Sequence, residues 1–316
     1  MTHASMKSKL LSIGQAAVLA VTLTACNESP PEPAAIDPPS EPAADDSDAR
    51  LQPGDHAWTT ADGNRMPYVV AGEGDVTVLL VHCWMCDRSF WSAQVPVLAE
   101  QYRTIALDLP GHGEATSERD AWTVSQYGDD VAGLIEGLNL TDVVLVGHSM
   151  GGPVSLRAAA LSGGRVHGIV AVDTLHDAEF EFSGEQMETF MTAFEADFVG
   201  TCGSFVQQMF PEEGVEQIVN KVRETGCREE SSAIGSALMR NFGDIDMPRW
   251  FSEAGVPIRA VNAATPNPTQ IETNRKYADF DAVLMEDVGH YPHMTRPEQF
   301  NPLLLDAIAE ILHEAP

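Results

Sequence analysis

Hydrophobic positions along the 316 residues fall into short, nearly uninterrupted runs set between stretches of helical periodicity. Residues 76–82, 103–109, 142–147 and 166–173 are dominated by Val, Ile, Leu and Ala. Runs of that kind mark strands buried on both faces. Helical patterns occupy 90–100, 124–138 and 153–161 between them. Two later runs, 258–263 and 282–286, accompany helical patterns near 269–277 and 297–314. Ahead of all these, 56–60 and 66–71 flank Asp62-Gly63, a hairpin turn signal. The alternation predicts an α/β fold with a mostly parallel, doubly wound sheet.

One block departs from the alternation. Residues 176–249 show helical spacing, with Phe190, Phe194 and Phe198 four apart, and no strand signal. The block predicts a helical cap inserted after the sixth strand. The expected core is then 51–175 together with 250–316. Two readings of Met187, Met191, Phe194, Phe205, Met209, Phe210 and Met239 stay open: they line an apolar pocket, or they form the cap's own core.

The N-terminus follows different rules. Lys7 and Lys9 precede a small, apolar stretch over 10–24, and Leu23-Thr24-Ala25 leads into Cys26. That arrangement resembles a bacterial lipoprotein signal, which implies a signal peptide over 1–25, cleavage before Cys26 and lipid attached to its sulfur. Residues 26–50 are rich in Pro, Ala, Glu and Asp. Apolar surface there is too scarce to offset ordering entropy, so this segment is expected to be a disordered tether. The expected location is the cell envelope, with the protein exported and held to the membrane by the lipid only.

The formal charge is −29, and removing Lys7 and Lys9 with the signal leaves −31. Such a surface argues against nucleic acid and anionic membrane as partners. Of the five cysteines, Cys202 and Cys227 share the insert and are the natural disulfide pair in an oxidising compartment. Cys83 and Cys86 are a C-x-x-C pair whose redox state stays open. No second Cys/His cluster accompanies them, so no metal is expected there.

The candidate chemistry centres on Gly147-His148-Ser149-Met150-Gly151. It joins the apolar run 142–146 to a helical pattern, and strand, G-x-S-x-G, helix is the context of a nucleophile elbow. Flanking glycines keep Cβ atoms out of a tight strand-to-helix turn, and Ser149 is held at the strand tip. A serine hydroxyl needs an adjacent base.

Four motifs together, Val81-His82-Cys83-Trp84, Asp108-Leu109-Pro110-Gly111-His112-Gly113, the elbow at Ser149 and Val288-Gly289-His290, resemble the α/β-hydrolase fold superfamily over about 56–314. Capped, esterase-like members are the most similar. The resemblance implies Ser149 as nucleophile and His290 as base, with His293 as the alternative. His148 would face away, His82 would belong to the oxyanion loop, and His112 to a glycine turn. Members of this superfamily mostly carry the acid after the penultimate strand, but residues 261–269 contain no carboxylate. A minority place it one strand earlier, which implies Asp173, with Asp177 or an acid-free dyad as alternatives. Asp287 would brace the histidine loop. The oxyanion hole would be the backbone amides of Met150 and Trp84, Cys83 standing where relatives usually carry glycine. Trp84 either walls the pocket or simply packs beneath the cap. The implied activity is cleavage of a small to medium apolar carboxylic ester or lactone by acyl transfer, which needs neither a metal nor an organic cofactor. Carbon–carbon bond hydrolysis, cofactor-free perhydrolysis or ligand binding without turnover are the alternatives. Dehalogenase and epoxide hydrolase relatives carry aspartate where Ser149 stands.

Overall fold

The computed structural model describes residues 47–180, 184–243 and 245–314. The signal segment, Cys26 and most of the tether lie outside them. Eight strands form one sheet: β1 Gly54–Thr59, β2 Arg65–Ala71, β3 Thr77–Val81, β4 Arg103–Leu107, β5 Val143–His148, β6 Val166–Val172, β7 Ile258–Ala263 and β8 Phe280–Met285. Their order is β1-β2-β4-β3-β5-β6-β7-β8. Only β2 runs against its neighbours, pairing antiparallel with β1 and β4; β3 to β8 are parallel.

The apolar runs form strands because both faces of the sheet are covered. Leu79 and Leu145 belong to one buried cluster, packed with helices α1 Val124–Gly137, α2 Gly151–Leu161 and α7 Met247–Ala254. Val78, Leu80, Val144 and Val146 belong to the other, with Phe300, Leu304 and Ile308 of α8 Pro297–Glu314. Period-two alternation thus feeds two cores rather than one core and solvent. Local signals set helix ends. Thr123 caps α1 by accepting from the Gln126 amide at 3.2 Å. Asp246 caps α7, which stops at Gly255 in the left-handed region (φ 63°).

Between β6 and α7 the described residues form four α-helices, α3 Gly184–Ala196, α4 Phe198–Gln208, α5 Glu216–Gly226 and α6 Ser232–Phe242, with one 3-10 turn at Glu229–Ser231. The first three contribute to a third apolar cluster containing Phe194, Phe198, Val206, Phe210 and Val222, whereas α6 sends Leu238 into the first cluster. Cys202 of α4 and Cys227, just past α5, form a disulfide across the third cluster. Met191, Phe194 and Phe210 are buried, and the cluster that holds Phe194 and Phe210 also takes in Cys83, Phe90 and Tyr291, so it joins the insert to the rest of the fold. Phe205 and Met209 are only partly buried against it.

Candidate active site

Ser149 sits at the C-terminal tip of β5 with φ 53°, one residue before Met150 begins the turn into α2. The turn is tight enough that no side chain fits at three neighbouring positions. A Cβ on Gly147 would strike the Gly151 carbonyl, one on Gly151 the Val81 carbonyl, and one on Gly152 the Thr174 side chain. Ser149 N–H donates to Val172 O at 3.1 Å, and the Thr174 hydroxyl donates to Ser149 O at 2.8 Å. The left-handed backbone of Ser149 is thus held from β6. Met85, Asp173, Leu175 and Asp287 are also non-glycine residues at positive φ. Sparsely populated backbone of this kind gathers where the surrounding structure over-determines it.

The Ser149 hydroxyl donates to His290 Nε2 at 2.8 Å, and His290 Nδ1–H donates to Asp173 Oδ2 at 2.6 Å. Asp173 stands at the end of β6, also at positive φ (43°). Its Oδ1 accepts from Ala263 N at 2.8 Å, and its own N–H donates to Val261 O at 3.1 Å. The end of β7 therefore supplies no carboxylate but grips one. Asn262 extends the grip, accepting from Thr174 N at 3.2 Å and donating to Thr174 O at 3.0 Å. Burial alone would raise the Asp173 carboxyl; the hydrogen bond and charge of His290, with His176 and the Ala263 amide, outweigh it and hold the group below the usual carboxylate range. His176 Nε2 lies 3.6 Å from the far carboxylate oxygen.

The alternative groups are engaged elsewhere. Asp177 caps the Glu179 amide at 2.9 Å. His293 is buried against Trp91, with ring centroids 4.7 Å apart, and the serine bonds to His290 instead. Asp287 is exposed and no hydrogen bond of its side chain braces the loop among the described residues; Glu212, from the insert, does so. His148 is buried, and its Nε2–H donates to the His290 carbonyl at 2.7 Å. Nothing in its sequence position advertised that role, because the partner is a main-chain oxygen 142 residues away.

The loop after β3 carries the other side of the site. His82 Nδ1–H donates to Cys83 O at 2.8 Å while Nε2 accepts from Leu109 N at 3.0 Å, which requires the neutral ring. Cys83 and Cys86 form a second disulfide, with both sulfurs within 4 Å of the Tyr291 hydroxyl, at 3.7 and 3.8 Å. Among the described residues no hydrogen bond uses the backbone N–H of Trp84 or Met150. The Trp84 indole donates to Gly235 O at 3.0 Å and meets Phe194 and Phe205 edge-on. It is thus fixed to the insert. Buried Asp108 of the Asp-Leu-Pro-Gly motif joins the Arg88 and Glu114 amides, at 2.8 and 3.0 Å, and pairs with the Arg88 guanidinium, tying two loops together. The described residues contain no group of His, Cys, Asp and Glu able to hold a metal ion.

Four buried histidines stay uncharged. Burial lowers His82 and pushes His148 well down. Burial, with a neighbouring histidine in each case, brings His112 and His293 to about 3. Unfolded histidine titrates near 6.5, so below that pH the unfolded chain binds protons that the folded chain refuses. Stability is complete above the unfolded value and is lost as pH falls, by about 1.4 kcal/mol per unit for each fully shifted ring. Asp130, raised by burial to about 6, works in the opposite sense and offsets one ring between 6 and its ordinary value. Urea unfolding at pH 7.5 and 5.0 is expected to show a loss of at least about 2 kcal/mol on acidification; a flat profile would contradict neutral burial of these rings.

An eight-stranded sheet with one antiparallel member, a serine on a glycine-flanked turn after β5 and a histidine on the loop after β8 together define the α/β-hydrolase architecture. Residues 78–303 match the alpha/beta hydrolase family, and the chain belongs to it. The acetyltransferase component of the acetoin cleaving system of Pseudomonas putida is 34% identical over 126 residues, covering 40% of this chain; the match spans only 34% of that protein's length. The pimeloyl-[acyl-carrier protein] methyl ester esterase of Yersinia enterocolitica is 24% identical over 251 residues, 75% of this chain and 95% of that one. Among solved structures, an esterase from Thermogutta terrifontis superposes with a TM-score of 0.70 at 23% identity, covering 81% of this chain and 98% of its own. The enol-lactonase of Burkholderia xenovorans gives 0.69 at 18% identity, covering 80% and 100%. At such identities these two structures establish the fold alone.

Proposed function

We propose that the protein is a serine hydrolase of carboxylic esters or lactones, with Ser149 as nucleophile, His290 as general base and Asp173 as the acid. The observation that carries this is the continuous chain from hydroxyl to imidazole to carboxylate, at 2.8 and 2.6 Å, with the carboxylate's other oxygen occupied by a β7 amide. Ser149 Oγ attacks the acyl carbonyl as its proton passes to His290 Nε2, and Asp173 stabilises the resulting imidazolium. Negative charge builds on the carbonyl oxygen. The uncommitted amides of Met150 and Trp84 are suited to receive it, the former at the start of α2. His290 returns the proton to the leaving alkoxide. Water, deprotonated by the same ring, then attacks the acyl-serine, and the acid product departs with Ser149 restored.

The half-buried Trp84, Phe190 and Phe205 suit an apolar acyl or alcohol group of small to medium size. The esterase named among the relatives supports the reaction class. The test is a p-nitrophenyl ester and lactone series with the residue 47–316 segment, alongside fluorophosphonate labelling. Labelling at Ser149 with turnover of at least one ester supports the reading; a folded protein that neither labels nor turns over any member refutes it.

We further propose export and lipid attachment at Cys26, supported by the basic, apolar and small-residue pattern ahead of it. Metabolic labelling with a palmitate analogue in a bacterial host should mark the full chain and fail with Cys26→Ala. Equal labelling of both would refute it.

A further inference from the structure

The backbone around His290 is gripped by the insert. Glu212, between α4 and α5, accepts through Oε1 from Gly289 N at 2.8 Å and from the Thr295 hydroxyl at 2.9 Å. Met209 O accepts from His290 N at 2.9 Å. Phe210 stacks on Tyr291 with ring centroids 5.0 Å apart and planes 4° from parallel. The approach is so close that a Cβ on Gly289 would collide with the Met209 carbonyl. From the other side, His148 holds the His290 carbonyl. Residues 289–291 are therefore held by an insert that also packs on Trp84, in the loop opposite.

We infer that Glu212 is a positioning residue: it locks the histidine loop to the insert, so His290 Nε2 reaches Ser149 only while the insert is seated. The inference rests on the hydrolase reading above. Its chemistry is specific, because the carboxylate acts as an acceptor for one amide and one hydroxyl. A neutral amide oxygen at the same place can do the same, whereas a side chain one methylene shorter falls short of Gly289.

Glu212→Ala, Glu212→Gln and Glu212→Asp test it with two readouts. Hydrogen–deuterium exchange across 288–296 reports the lock without reference to chemistry. It should quicken about tenfold in the Ala and Asp variants and stay unchanged in Gln. For an ester turned over by the unmodified protein, kcat should fall about 10- to 100-fold in Ala and Asp, with KM within about threefold, and recover in Gln. A merely structural role would lower melting temperature while leaving kcat in place. Unchanged exchange and kcat in the Ala variant overturn the inference, as does a Gln variant as impaired as Ala. Should the Ala variant fail to fold, the Gln and Asp pair decides. Absence of turnover in the unmodified protein sinks the hydrolase reading instead, and exchange alone then judges the lock.

Discussion

Ser149→Ala is expected to lower ester turnover by at least about four orders of magnitude, with folding intact. The small side chain fits: alanine lacks only the hydroxyl, and the backbone bonds that hold the elbow, from Ser149 N–H to Val172 O and from the Thr174 hydroxyl to Ser149 O, survive. What disappears is the proposed point of acylation and the donor to His290 Nε2. Residual activity then reflects only binding and whatever amides face the carbonyl. Circular dichroism establishes the fold, and stopped-flow release of p-nitrophenol should lose both its burst and its steady phase. Turnover within tenfold of the unmodified protein would remove Ser149 from the mechanism.

Asp173→Asn should cost about 10³- to 10⁴-fold in kcat near neutral pH. The reason lies in the second partner. Ala263 N–H donates to one carboxylate oxygen, so the asparagine carbonyl must take that place and the NH₂ must turn toward His290. An amide donor there makes Nδ1 the acceptor and moves the ring proton to Nε2. The base then has no lone pair for the serine proton. Asp177→Asn is the control, since Asp177 only caps the Glu179 amide, and it should stay within about twofold. Reversal of the two results would place the acid at Asp177. Because the Asp173 carboxyl is held below the ordinary range, its contribution to stability is present above the unfolded pKa and is lost as pH falls through the folded one.

Much of this architecture is legible in the chain. The central strands β3 to β7 coincide with apolar runs, because a sheet covered on both faces demands them, while the half-exposed β1 is legible from the hairpin turn signal beside it. Ends are less legible: β8 begins at Phe280, two residues before its run suggests, and its exposed Val283 and Leu284 dilute the burial signal. The insert reads as one helical block, and only tertiary packing divides it into four helices around Phe194 and Phe198. Ser149 and His290 are marked by glycines that the turn and the insert contact require. Asp173 is marked by its strand-end position and by the absence of a carboxylate in 261–269. His148 and Glu212 are marked by nothing, since each acts on main-chain groups far away in sequence. A motif records which side chains are needed, not which peptide groups they hold.

Placing a carboxylate on β6 has a consequence for how such a protein diversifies. Ser149 and Asp173 belong to one unbroken stretch, 149–173, tied together by parallel β5–β6 pairing that sets His148 opposite Val172. The whole insert comes afterwards. An aspartate on the loop after β7 would instead lie downstream of it. Lengthening, trimming or exchanging the four helices therefore leaves the serine–aspartate spacing untouched, and a swapped module has to preserve its hold on 289–295 and its seat on Trp84.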